Sequence, residues 1–348
     1  MSQTAIKKLA IAATAFALVV VLLGAFTRLS HAGLGCPDWP GCYGFKHIPT
    51  QQADIEVANQ AFPERPYEFD KAWPEMVHRY FAGTLGLFVL GLALLSLKQQ
   101  NRPIRGHSFG LLALVIFQAA LGMWTVTMKL HPVIVMAHLM GGFATLTLLA
   151  MLSARYHNQF VSPISSSLAL RYKKLAVLAL VILVIQIMLG GWTSANYAAT
   201  VCYELPICQG EWLKHSDFAT GFNPFAQQAE NYEFGILESE ARIAIHASHR
   251  IGAIIATLVL ALFSYKLISQ VDSSLLRKFG LIIAGLLFVQ VTLGVFNIVF
   301  QLPLYNAVAH NGVGAILLLV MGILMTLLYS RNRLPSEESP SLQKEGVE

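Results

Sequence analysis

At 348 residues, 55% hydrophobic and 12% charged, the chain is too apolar for a soluble globular protein of its size, and the bilayer is its expected solvent. The formal charge of +5 comes from 24 basic against 19 acidic residues. Their distribution reads as membrane topology, so no nucleic-acid partner is expected.

Apolar runs fall near 9–27, 76–97, 108–128, 133–152, 175–195, 243–265, 279–300 and 307–329, each close to the roughly 20 residues of a spanning helix. Gly or a lone polar residue inside several of them is tolerated, because a helix satisfies its own backbone in lipid. Lys7 and Lys8 ahead of the first run resemble the start of a secretory signal. The apolar core that follows is longer than the roughly 7–15 residues usual there, and small-residue cleavage signals are poor, so the run is expected to be kept.

Placing the N-terminus inside puts Lys7, Lys8, Lys98, Arg102, Arg105, Arg155, Arg171, Lys173, Lys174, Lys266, Arg277, Lys278, Arg331, Arg333 and Lys344 on the inner side, 15 of the 24 basic residues, as the positive-inside rule requires. Two long loops, 30–74 and 196–242, are then outside and carry most of the acidic residues, including Asp38, Asp54, Glu64, Asp70, Glu211, Glu230 and Glu238. The expectation is a multi-pass protein of a bacterial-type inner (plasma) membrane, in direct contact with lipid, with N- and C-termini cytoplasmic.

Self-similarity organises the spans. The third, fifth and seventh carry Gln118-x-x-Leu121-Gly122-x-Trp124-Thr125, Gln186-x-x-Leu189-Gly190-x-Trp192-Thr193 and Gln290-x-x-Leu293-Gly294-x-Phe296-Asn297, and the first carries Leu23-Gly24-x-Phe26-Thr27. Close helix packing explains small residues at such positions equally well. The larger repeat is harder to dismiss: His78-Arg79 matches His249-Arg250 at an offset of 171, His138 matches His310 at 172, and Cys36 and Cys42 match Cys202 and Cys208 at 166. An even number of spans per half makes the repeat parallel. The expected fold class is therefore all-α, eight transmembrane helices as two tandem four-helix bundles. Residues 1–157 form one half with loop 30–74, 170–331 form the other with loop 196–242, and 332–348 form a cytoplasmic tail.

The matched histidines should lie in the outer part of the bilayer, His78 about one turn and His138 about two turns into their helices. Ionisable groups there are costly and mark functional sites. Two neutral imidazoles on facing helices suit the axial positions of a heme iron, whose flat ring fills a slot between helices. The competing explanation for a single membrane histidine is a hydrogen bond to a neighbouring helix. Zinc fits less well, since structural zinc wants four clustered ligands. Arg79 and Arg250 suit either heme propionates or lipid headgroups.

The halves differ where Glu75 stands opposite His246, three residues before the histidine and on its helical face. A carboxylate beside one heme can accept protons or stabilise developing positive charge; the alternative is a surface acid favoured at a helix start. The cysteines sit in outer loops, where an oxidising compartment permits disulfides, and pairing within each loop, Cys36–Cys42 and Cys202–Cys208, is the economical arrangement. Structural and redox-active roles for these bonds both stay open.

Gly33-Leu34-Gly35-Cys36-Pro37-Asp38-Trp39-Pro40-Gly41-Cys42, together with Glu75-x-x-His78-Arg79, resembles the heme A synthase family. The resemblance covers nearly all eight spans. It implies oxidation of a heme O methyl to the formyl of heme A by successive hydroxylations, for terminal oxidase biogenesis. It also implies that His78 and His138 hold the substrate heme, that His249 and His310 ligate a heme b cofactor, that Glu75 assists the chemistry and that Cys36–Cys42 forms a disulfide near the first site. With both histidines on the substrate iron O2 has no place to bind, so an electron acceptor is required. That acceptor is unassigned, heme O synthase is the expected supplier of heme O, and a homo-oligomer is left open. His246 and the segment 211–242 receive no role. A diheme b-type electron-transfer protein without substrate chemistry, and a heme transporter, are the alternatives.

Overall fold

The computed structural model describes residues 3–99, 101–157, 166–225 and 228–329; the expected tail at 332–348 lies outside them. The described chain is helical, in the order α1 Gln3–Leu29, α2 Gln52–Ala61, α3 Phe69–Ser96, α4 Arg102–Thr127, α5 Pro132–His157, α6 Ser166–Ala195, α7 Phe218–Gly221, α8 Ser239–Ser269, α9 Ser274–Val299 and α10 Leu304–Tyr329. Eight of these, all but α2 and α7, are long and apolar enough to cross a bilayer, so this is an all-α, multi-pass membrane protein. Among the described residues the only extended pairing is an isolated bridge between Cys42 and Phe45.

Helix boundaries follow local chemistry. Asn101 caps α4 by accepting from the Ile104 N–H, with Pro103 in the first turn, and Ser273 caps α9 by accepting from the Leu276 N–H. Each cap satisfies one of the amides a helix start leaves open. Pro74 interrupts the first turns of α3, and the hydroxyl of Thr27 on α1 shares its proton between the Leu23 carbonyl at 2.9 Å and the Pro74 carbonyl at 3.2 Å.

The spans α1, α3, α4 and α5 enclose one another in a ring, as do α6, α8, α9 and α10. The rings meet where α10 lies against α1 and α5, and α5 against α6. Small residues set that junction: a Cβ on Gly312 of α10 would come within 2.6 Å of the Leu22 side chain, the close approach that lets helices pack without a hydrophobic driving force. Backbone features recur between the rings. Positive φ appears at His31 and at Tyr197, at Lys129-Leu130 and at Gln301-Leu302, and cis prolines at Trp39-Pro40 and Leu205-Pro206.

Both long loops gather at one end of the bundle. The first contains α2, an amphipathic turn of chain with no spanning pattern, which packs on the Cys36–Cys42 bridge through Ala58 and Phe62. The second reaches across to the first ring. Tyr232 donates its N–H to the Lys129 carbonyl at 3.0 Å and sets its ring 4.8 Å from that of His131. Glu233 pairs with Arg65 at 2.7 Å, and Arg65 also donates to the Leu34 carbonyl at 2.6 Å. Below them Arg28 of α1 donates to the Ser194 carbonyl at 2.6 Å and lies 4.0 Å over the Tyr197 ring. Burial holds the His31 and His131 imidazoles below their ordinary pKa, so both sit neutral among these aromatic partners.

Two outcomes are expected. Peptide mapping without reduction recovers Cys36 joined to Cys42 and Cys202 joined to Cys208, as the structure has them; cross-loop pairing would contradict it. Replacing Arg65 with Ala leaves the Glu233 carboxylate, 8% exposed, without its cation. The cost is about 1–3 kcal/mol, read as a lower apparent Tm in detergent, with a smaller loss for Glu233→Gln.

Candidate functional site

Each matched histidine is pressed against the glycine of a repeated Leu-Gly turn. A Cβ on Gly24 of α1 would lie 2.9 Å from the ring of His78 on α3, and one on Gly122 of α4 would lie 3.3 Å from the ring of His138 on α5. In the other ring of helices Gly190 of α6 faces His249 of α8 at 3.0 Å, and Gly294 of α9 faces His310 of α10 at 3.1 Å. The glycines of the sequence motif are thus the floor on which four half-buried imidazoles lie.

The structure brings His78 and His138 together, with ring centres 6.4 Å apart and planes at 89°. Metal–imidazole bonds are about 2.0–2.1 Å long, so that separation leaves room for one metal atom between the two rings. His249 and His310 hold the matching positions in the other ring of helices, on α8 and α10. The Nδ1 atoms of His78, His138 and His310 are buried without a partner. A neutral imidazole has one N–H and one lone pair, so each of these rings has a lone pair to offer a metal. These residues therefore fit axial ligation of a heme, in pairs. Among the described residues no group of three or more His, Cys, Asp or Glu side chains gathers as a metal cage.

Glu75 is buried, 5% exposed, and both of its oxygens are engaged. Oε2 accepts from the Cys36 N–H at 2.9 Å and Oε1 accepts from Arg79 at 2.5 Å. Arg79 in turn donates to the carbonyls of Asp38 and Gly41 at 3.0 and 2.5 Å. The pair clamps the disulfide loop to the helix that carries His78. Gly35 allows the approach, since its Cα abuts the Lys71 carbonyl with no space for a side chain. Asp38 closes the loop by accepting from the N–H groups of Tyr43 and Gly44 at 2.6 and 2.8 Å. Burial pushes the Tyr43 phenol up to about 12, so it remains a donor to the Pro66 carbonyl at 3.1 Å.

His246 occupies the same place in the other ring. It faces the Cys202 N–H at 3.4 Å and the Arg250 Nε at 3.3 Å. Arg250 donates to the carbonyls of Glu204 and Ile207 at 2.6 and 2.9 Å, and also to that of Cys202. Arg79 and Arg250, to which the sequence offered propionates or headgroups, donate here to loop carbonyls and to Glu75 and His246 respectively. It also left His246 without a role, and the structure makes it the counterpart of Glu75 in the clamp. The substitution is unequal, because a carboxylate accepts from both donors while a neutral imidazole accepts from one.

Other residues of the site went unread. The segment 211–242 supplies α7, whose Gly221 carbonyl accepts from Trp192 Nε1 at 2.8 Å, and the strap around Tyr232. Its signal was the aromatic cluster Tyr232, Phe234. The glutamines of the Gln-x-x-Leu-Gly turns also reach the histidines: Gln186 Nε2 lies 3.0 Å from His249 Nδ1, and Gln290 Nε2 lies 3.3 Å from His310 Nε2.

Comparison with known proteins matches residues 7–322 to the COX15-CtaA family, described as cytochrome oxidase assembly protein. A Shewanella oneidensis protein named Heme A synthase is 47% identical over 91% of this chain and 94% of its own length. Proteins of the same name from Mesorhizobium japonicum and Erythrobacter litoralis are 26% and 23% identical, over 86% and 87% of this chain and 84% and 90% of theirs. With a family match across nearly every span and a relative of this identity along most of its length, the chain belongs to the COX15-CtaA family of cytochrome oxidase assembly proteins.

Proposed function

We propose that this protein is a heme A synthase, an oxidoreductase that converts the methyl of heme O into the formyl of heme A by successive hydroxylations, in support of terminal oxidase biogenesis. The observation that carries the reading is the single carboxylate among otherwise repeated site residues: Glu75, three residues before His78, where the second ring has His246. The similarity to the Shewanella oneidensis protein named Heme A synthase supports it.

In this reading His78 and His138 hold the substrate heme and His249 and His310 ligate heme b. The partnerless Nδ1 atoms of His78, His138 and His310 support that assignment. When bound, heme b supplies a one-electron redox centre that can accept electrons from the substrate. Arg79 and Arg250 serve their sites by holding the disulfide loops against the histidine helices. Each hydroxylation breaks one C–H bond of the methyl and forms a C–O bond to water, releasing two electrons and two protons, one from the carbon and one from the water, and the doubly hydroxylated carbon loses water to give the aldehyde. Glu75 takes up a proton as water adds or, with its negative charge kept by Arg79, stabilises positive charge at the carbon under oxidation. The electrons leave the protein to a separate acceptor, and heme O arrives from heme O synthase.

The division into halves, 1–157 and 170–331, belongs to the same proposal, with the substrate in the first and the cofactor in the second. So does a bacterial-type inner membrane with cytoplasmic termini, which sets the disulfide loops on the oxidising side.

Two measurements test the reading. His249→Ala and His310→Ala should each remove most of the low-spin heme b from purified protein, and normal heme b in both would exclude these ligands. Glu75→Gln keeps an oxygen for the Cys36 N–H but loses the charge. It should cut heme A formation by about 10²-fold or more, with heme O or a hydroxylated intermediate accumulating and heme b unchanged. Heme A at the normal rate would exclude a proton-handling Glu75, and a variant that fails to accumulate would assign the residue to the loop clamp alone.

A further inference from the structure

The three glutamines of the repeat remain without a role in the proposed chemistry, and their surroundings show a reciprocal exchange of large for small. In α4, α6 and α9 the glycine makes space for a histidine of the following span, and the glutamine one turn earlier fits over a glycine of that span. Gln118 lies over Gly141, Gln186 over Gly252 and Gln290 over Gly314. At the first two a Cβ would overlap the amide, and at Gly314 it would lie 3.4 Å away. The amides of Gln186 and Gln290 reach ring nitrogens of His249 and His310 at 3.0 and 3.3 Å, and Gln186 Nε2 also donates to the His249 carbonyl at 3.1 Å, a bond exchanged for one from the ring when the amide turns; the Oε1 atoms of both are buried with no partner. Those two buried acceptors beside two imidazoles are what a ring N–H needs once the opposite nitrogen is on a metal. Turning an amide exchanges its oxygen and nitrogen within the same outline. The first span has Val20 at this position, and α3 has Phe81 stacked on Phe16 at 5.3 Å instead of a glycine.

We propose that Gln186 and Gln290 are positioning residues for the heme b ligands: their amide oxygens accept from the ring N–H of His249 and His310, fixing tautomer and orientation and raising the basicity of both imidazoles. Outer hydrogen bonds of this kind tune a bound metal. A more basic imidazole favours the ferric state, so loss of the acceptor makes heme b easier to reduce. The inference rests on the assignment of heme b to His249 and His310.

The test uses full-length protein purified with its resident heme, read by redox titration and by the low-spin ferric EPR signal, with no substrate present. Gln186→Leu and Gln290→Leu should each shift the heme b midpoint potential positive and change the EPR g-values. Gln290→Glu, which keeps the outline and a stronger acceptor, should keep heme and shift the potential negative. Gln118→Leu, beside His138, should leave both readouts as in the parent. Unshifted potentials in heme-replete Gln186→Leu and Gln290→Leu would overturn the proposal. So would an equal shift from Gln118→Leu, or loss of heme from Gln290→Leu and Gln290→Glu alike, since either would make the glutamines packing residues. A parent protein that binds no heme b would instead refute the heme b assignment on which the inference rests.

Discussion

The contact between a glycine and an imidazole edge fixes the geometry of this protein. Four times, a span offers a bare Cα to a histidine on its neighbour, and the ring fills the space a side chain would take. In lipid there is little apolar driving force to bring helices together, so close packing and interhelical hydrogen bonds must do so. The histidine supplies the packing through its ring edge, and at His249 and His310 a glutamine of the neighbouring span reaches a ring nitrogen as well. Helix spacing and imidazole placement are therefore one constraint.

The loops are subordinate to the same helices. Arginines one residue after His78 and His249 turn into the disulfide loops and collect their carbonyls, so each loop is registered against the helix that carries the histidine. A guanidinium with several donors in a rigid fork is suited to this task. Glu75 completes the arrangement in one ring with two charged or amide donors satisfied, and His246 completes it in the other with one acceptor to share between two donors. The two loops are held by the same geometry but in different electrostatic states.

The strap of the second loop joins the rings at their loop end. Tyr232, Glu233 and the aromatic pair Tyr197 and Phe234 lie against His131, Arg65, Arg28 and His31 of the first. Glu233 and Arg65 make this more than an apolar cover, because Arg65 also holds the Leu34 carbonyl, two residues before Cys36. The first disulfide loop is thus fixed from one side by α3 and from the other by the second loop.

The sequence by itself determined the spans, because a run of apolar residues of membrane thickness has one stable conformation in lipid. It also determined the four histidines and the cysteine pairs, because those residues recur at constant offsets and the cysteines of each pair are close in the chain. Glu75 stood out because it alone broke that recurrence. What the tertiary structure decided depends on residues far apart in the chain. That Arg79 also holds the carbonyls of Asp38 and Gly41 depends on where the loop 38–41 lies, which no local pattern records. His246 had no reading until Cys202 and Arg250 were placed on either side of it. The glutamines looked like packing residues in their own helices, since the glycines that receive them lie on other spans. α2 and the strap escaped for the related reason that their order comes from the surfaces they cover. Periodicity records what a segment does for itself, whereas the partners of a polar side chain are set by which helices the fold makes neighbours.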